Sequence, residues 1–227
     1  MRRRIDALRR FMSQDRALTL FLVLLVGVVF VTGPLGVIGQ IGQTVLAALF
    51  SLMLVVGITT VPHRPAATLA AAAIAVAAIV VDWVAVWHPT RAVMAANALS
   101  AFAYLGALTA VVLARVFDGG PITVHRVVGA VAAYVLLGLL WSLLYQALTL
   151  LLPGAFRNAA DPGMRLFRSD LLYFSFVSLT TVGYGDVVAV HPMARSLAML
   201  ENLTGQLYPA ILIARLVSLE IASRPRR

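Results

Sequence analysis

Thr180-Thr181-Val182-Gly183-Tyr184-Gly185-Asp186 is the stretch on which the reading of this chain turns. It carries glycine at alternate positions, and glycine takes positive φ without a Cβ clash. An ordinary strand alternates its carbonyls from side to side. A loop with Gly183 and Gly185 at positive φ can instead aim successive carbonyls at one axis. The segment just before it, Asp170 to Leu179, is apolar and aromatic but only about ten residues long. Crossing a bilayer takes about 20 residues as a helix, so this segment is read as re-entrant, with the glycine loop as its return path.

Working outward, long apolar runs flank this unit. Residues 153–169 are polar and contain Arg; before them runs Val124 to Leu152, stopped by Pro153-Gly154. After the loop runs Met193 to Ile221. Four earlier runs complete the set: Ala17 to Thr32, stopped by Gly33-Pro34; Ile41 to Val61, stopped by Pro62; Ala66 to Trp87; and Val93 to Phe117, stopped by Gly119-Gly120-Pro121. Pro and Gly clusters punctuate these boundaries as short turns. The fold class is an all-α membrane protein with six transmembrane helices, a re-entrant pore helix and a filter loop.

Composition agrees. The 227 residues are 61% hydrophobic and 12% charged, whereas a soluble domain carries about 25% charge. The net charge of +9 raises a nucleic-acid reading, but all the positive charge is Arg and sits at the ends of apolar runs, so nucleic acid is excluded as a partner. With no cysteine, disulfides and Cys-based metal sites are excluded. Arg2, Arg3, Arg4, Arg9 and Arg10 ahead of an apolar run resemble a signal peptide. The run is too long for that role and no small-x-small site follows closely, so it is read as the first spanning helix.

Arginine placement sets orientation. With the N-terminus inside, 13 of the 18 Arg fall on the cytoplasmic side and 5 outside, Arg91, Arg157, Arg165, Arg168 and Arg195. That is the positive-inside pattern. It puts both termini in the cytoplasm and the glycine loop outside.

Residues 170–217 resemble the pore module of the tetrameric potassium channel superfamily, and the run Ala194 to Glu201 with Gly205-Gln206-Leu207-Tyr208 is similar to small bacterial ion-channel proteins. The resemblance implies a homotetramer around one pore, in a bacterial plasma or inner membrane. One filter loop per chain agrees, since such a filter needs four. It implies K⁺ held by carbonyls of Thr181, Val182, Gly183 and Tyr184, with Gly185 completing the filter and the Thr181 hydroxyl innermost. K⁺ is then the permeant ion, membrane lipids are partners, and no organic cofactor is expected.

Filter support is expected from Thr180, Asp186, Tyr173, Phe174, Val177 and Glu201. Tyr173 and Phe174 match the family's paired pore-helix aromatics. Val177 stands where some bacterial members carry a Glu paired to the filter Asp, so the Tyr173 hydroxyl is expected to bond Asp186 instead. Glu201, an acid at membrane depth, is read as a brace toward the Ser175/Ser178 face, with a cavity-facing ion attractor as the alternative. Gly205 matches the family's hinge glycine, and Pro209 removes the hydrogen bond to its carbonyl; together they are the expected gating hinge.

The domains expected are a cytoplasmic segment 1–16, a four-helix transmembrane unit 17–117, a pore domain 124–221 and a cytoplasmic tail 222–227. Voltage sensors carry Arg at every third position of the fourth helix, but Val93 to Gly106 contains none, so strong voltage gating is not expected. The short ends leave no room for a soluble ligand domain. Asp82 is read as a partner of Arg91 or of lipid headgroups, and His191 as an interfacial residue at the pore mouth. Enzymatic function has no supporting constellation. The alternatives to a K⁺-selective channel are a K⁺ transporter subunit and a non-conducting membrane assembly protein.

Overall fold

Lipid offers no partner to a backbone N–H or C=O, so long aliphatic runs close their hydrogen bonds internally as helices. The computed structural model describes residues 2–36, 38–60, 65–118 and 123–223. Its order is α1 (Arg2–Gly36), α2 (Gln40–Ile58), α3 (Pro65–Trp87), α4 (Arg91–Val116), α5 (Val124–Leu151), β1 (Phe156–Asn158), α6 (Arg168–Leu179), β2 (Val187–Ala189) and α7 (Pro192–Ser223). Among the described residues, five helices are long and apolar enough to cross a membrane, those of α1 to α5. This is a multi-pass, helical membrane protein.

α7 has 32 residues, about 48 Å at 1.5 Å per residue, yet it is not one of those five. Arg195, Glu201, Asn202, Gln206 and Arg215 dilute its hydropathy. α1 departs from the sequence reading at both ends. It begins at Arg2 rather than near Ala17, so residues 2–16 continue the first helix, and it runs through Gly33-Pro34 to Gly36. Pro34 falls in the last turn, where it removes the bond to the Phe30 carbonyl, and the helix ends two residues later. The expected stops at Pro62 and Gly119-Gly120-Pro121 lie outside the described residues.

Two cores result. The larger joins Phe21 and Leu25 of α1, Met53 and Leu54 of α2, Tyr104 and Leu105 of α4, and Ala133 and Leu136 of α5. Without a hydrophobic drive between helices in lipid, close approach of small residues matters; Ala75 and Ala78 of α3 are fully buried. α4 and α1 both pack on α5. The second core surrounds α6 and holds Tyr145, Phe156, Leu171, Phe174, Val187 and Ala194. A short antiparallel ladder pairs Phe156 with Ala189 and Asn158 with Val187. It ties the 153–169 segment to the exit of the glycine loop.

Candidate functional site

The site begins with α6, which starts cleanly because Asp170 at its third position accepts the Phe167 N–H at 2.7 Å. That carboxylate also favours the positive end of the helix. At the other end the loop amides consume the free helix carbonyls. Thr181 N–H donates to Ser178 at 2.9 Å, and Val182 and Gly183 N–H donate to Val177 at 3.0 and 3.3 Å. With these three amides turned back onto the helix, the carbonyls on the far side of the same trans peptides, those of Thr180, Thr181 and Val182, face away from it.

Backbone handedness follows a strict alternation. Thr181, Gly183 and Gly185 have φ of 58°, 61° and 78°. Inverting φ at every second residue brings alternating carbonyls to one side. The two glycines were expected in this region; Thr181 was not. A β-branched residue there is strained by about 1–3 kcal/mol. Two side-chain bonds hold it: its Oγ1 donates to the Thr180 carbonyl at 2.7 Å and accepts from Gln206 Nε2 at 2.7 Å. Gln206 was quoted in the sequence only within the Gly205-Gln206-Leu207-Tyr208 run and given no role, although an amide beside Gly205 was a usable signal.

The outer end of the loop is braced from α6. The Tyr173 hydroxyl is hydrogen-bonded to the Asp186 carboxylate, which raises its pKa to about 12 and leaves it a donor at neutral pH. The Tyr173 and Tyr184 rings stack at 6.4 Å and 3°. Asp186 Oδ1 also accepts the Val187 N–H at 2.9 Å, and the Asp186 carbonyl accepts from Ala159 N–H at 2.8 Å. Phe174 points the other way, into a triangle with Tyr145 and Phe156 whose ring centroids lie 5.1–5.3 Å apart. Phe156 sits in a stretch that reads as polar, so its role was not legible. Val177 acts through its carbonyl rather than its side chain.

Glu201 is fully buried behind α6. The Tyr145 hydroxyl donates to its Oε2 at 2.5 Å, and Ser175 Oγ lies 2.6 Å from its Oε1 and 2.7 Å from the Gly138 carbonyl. The acid therefore links α5, α6 and α7 and faces no cavity. Four turns of α7 share that inner face: Ala194, Glu201, Gly205 and Tyr208 are all buried. Gly205 is set by close approach, because a Cβ there would come 1.8 Å from the Leu179 carbonyl oxygen. That same carbonyl accepts from the Tyr134 hydroxyl at 3.2 Å, and Tyr134 stacks on Tyr208 at 5.7 Å. α7 stays helical through Gly205 and Pro209.

Arg91 and Asp82 sit differently from their expected places. Arg91 donates to the Leu150 carbonyl at 2.5 and 3.1 Å rather than pairing with Asp82. Asp82 instead accepts from Asn97 Nδ2 at 2.8 Å. His191 Nδ1 accepts the Met193 N–H at 3.2 Å and so caps α7.

Spanning helices, a short helix ending on a loop of alternating backbone handedness, and a long polar-spotted helix behind it define a membrane protein built around that loop. Residues 129–221 match the family model described as ion channel, and the chain belongs to that ion-channel family. It is 32% identical over 133 residues to Protein LctB of Bacillus caldotenax, covering 51% of this chain and 94% of that one. It is 37% identical over 67 residues to Two pore potassium channel c of Oryza sativa subsp. japonica, covering 30% of this chain and only 14% of the rice protein. No solved structure matches the chain. The protein is thus an ion channel and not an enzyme.

Proposed function

We propose that the chain is one quarter of a homotetrameric, K⁺-selective channel of a bacterial plasma or inner membrane. The observation that carries this reading is the alternation of positive φ at Thr181, Gly183 and Gly185 with the loop amides drawn back onto α6. Four such loops give rings of carbonyls from Thr181, Val182, Gly183 and Tyr184 that replace the hydration shell of K⁺. Gly185 lets the outermost unit turn, and the Thr181 hydroxyl forms the innermost ring. Tyr173, Phe174, Thr180, Val177, Asp186 and Glu201 hold the loop to its helix.

Assembly follows from what a single chain leaves open. Val182 and Tyr184 are 54% and 71% exposed, which a loop at membrane depth does not tolerate unless other protein covers it. Met199, Leu203 and Leu207 extend that open face along α7. In this reading α7 is the sixth span, lining the pore, and its lower hydropathy reflects a wall that faces water and neighbouring subunits. α6 is re-entrant, the glycine loop is outside and both termini are cytoplasmic. The pore domain is 124–221, preceded by the four-helix unit 17–117 and the segment 1–16, and followed by the tail 222–227. The gating hinge lies at Gly205 and Pro209, pivoting about the Leu179 contact. K⁺ is the permeant species.

The test is flux from liposomes loaded with K⁺ or Na⁺. K⁺ efflux is expected to exceed Na⁺ efflux by at least a hundredfold, and equal rates overturn the reading.

A further inference from the structure

The first four helices pack on α5, but α6 and the 153–169 segment do not fill all the space against them. Between α1–α5 on one side, and α6 with the 153–169 segment on the other, lies a chamber of about 1010 Å³. That is far larger than an ion or a few waters need and matches the upper end of organic-ligand sites, about 300–1,000 Å³. Its wall is largely aliphatic and aromatic, with Phe50 of α2, Leu105 of α4, Leu139 of α5 and Leu172 of α6.

The polar groups of the chamber are out of balance. Arg157, Arg165 and Arg168 line it, against one carboxylate, Asp82. Arg168 Nε donates to Gln146 Oε1 at 2.9 Å, and its Nη atoms make no hydrogen bond among the described residues. Asp82 attracts Arg168 through space, but its Oδ1 is already taken by Asn97 Nδ2 at 2.8 Å. Asn97 is 1% exposed, lines the chamber, and has an Oδ1 with no donor. The chamber therefore presents three features at once: surplus guanidinium, a buried acceptor lacking a donor, and a long apolar wall. A buried acceptor left bare costs about 1–3 kcal/mol, and a guanidinium fork suits a phosphate.

We propose that the chamber binds a phospholipid with a hydroxylated, anionic head group. The phosphate engages Arg168 and Arg165, a head-group hydroxyl donates to Asn97 Oδ1, and an acyl chain lies along Leu105, Leu139 and Leu172. Water alone would supply Asn97 with a donor and hydrate the exposed Arg157 and Arg165, but it would leave the aliphatic wall wet and the excess positive charge without an anion. One chemistry answers all three features.

The test uses the full chain in mild detergent, incubated with phosphatidylglycerol or phosphatidylcholine, with retained lipid per chain counted after gel filtration. About one phosphatidylglycerol per chain is expected, with phosphatidylcholine retained at least tenfold more weakly. The double variant R165Q/R168Q and, separately, Ala101→Phe, which fills the apolar end, are each expected to lose that lipid. Glycerol phosphate alone is expected not to displace it. Retention unchanged in both variants, or equal for the two lipids, overturns the proposal. Displacement by glycerol phosphate, or loss in R165Q/R168Q but not in Ala101→Phe, identifies a free phosphate ligand and overturns the lipid assignment. Should R165Q/R168Q aggregate, Arg168→Lys keeps the charge but loses the fork and is expected to weaken retention several-fold. The readout is lipid, not flux, so it stands or falls apart from the K⁺ reading.

Discussion

The pore unit and the four-helix unit are both buried helical protein, but they are held by different means. Around the glycine loop nearly every contact is directional: loop amides on Val177 and Ser178, Glu201 between Tyr145 and Ser175, and Tyr134 on the Leu179 carbonyl. Among α1–α4 the contacts are mostly aliphatic, with a few polar groups such as Asp82 and Asn97 at one end. Directional contacts fix positions to fractions of an ångström, whereas aliphatic packing tolerates rearrangement at fixed volume. The chain thus concentrates its geometric precision around the proposed ion path. Substitutions in the two regions should differ in size and sometimes in sign.

The largest difference is expected at the loop. Gly183→Ala places a Cβ at φ 61°, costing about 1–2 kcal/mol per chain and about four times that in the proposed tetramer. K⁺ flux from liposomes should fall at least a hundredfold; unchanged flux would break the idea that the loop is the precise element. The next contrast sets two helical glycines against each other. Gly205→Ala drives a Cβ into the Leu179 carbonyl, so a loss of about 3 kcal/mol or more in denaturation of the purified protein is expected. Gly106→Ala in α4 meets only Leu140 Cδ2 at 3.9 Å. It should be neutral or stabilising by about 0.5–1 kcal/mol. Equal losses at the two sites would erase the contrast.

Smaller effects should sharpen it. Glu201→Ala leaves the buried Tyr145 hydroxyl without its acceptor and opens a void, for about 3 kcal/mol. Glu201→Gln keeps an acceptor and should recover about half, measured as the shift in thermal midpoint. Tyr173→Phe removes one hydroxyl from Asp186, worth about 1 kcal/mol. It should speed the decay of current under sustained opening several-fold while barely moving thermal stability. A thermal loss as large as that of Glu201→Ala would mean Tyr173 supports the fold rather than the loop.

How much of this was legible in the sequence follows the same division. Helix existence was readable because lipid permits little else, and the ends of α2 to α5 fell within a few residues of the Pro and Gly signals. The end of α1 did not, because a proline in a last turn does not stop a helix. The loop glycines were legible from residue type alone. Thr181 was not, because its positive φ is imposed by Thr180 and Gln206, and Gln206 lies 25 residues away. Ser175 was in reach of Glu201 by helical facing, but Tyr145 lies 56 residues from Glu201, and no local pattern links them. The Asp82–Asn97 pair was missed for a related reason: Arg91, the nearby cation, is taken by the Leu150 carbonyl.

The smallest effect expected is that of membrane potential, and it tests the four-helix unit directly. A helix that senses voltage must carry charge through the field, and moving one elementary charge is worth about 2.3 kcal/mol per 100 mV. Between Arg91 and Arg115, α4 holds no charged residue, and Arg91 is tied to the Leu150 carbonyl at the end of α5. Asp82 is held by Asn97 and attracted to Arg168, so it too is anchored. The conductance–voltage relation should therefore be shallow, rising no more than a few-fold over 100 mV. A slope needing three or four charges per chain would show that the loosely packed region moves as a sensor, and the division between a precise pore and a passive surround would have to be abandoned.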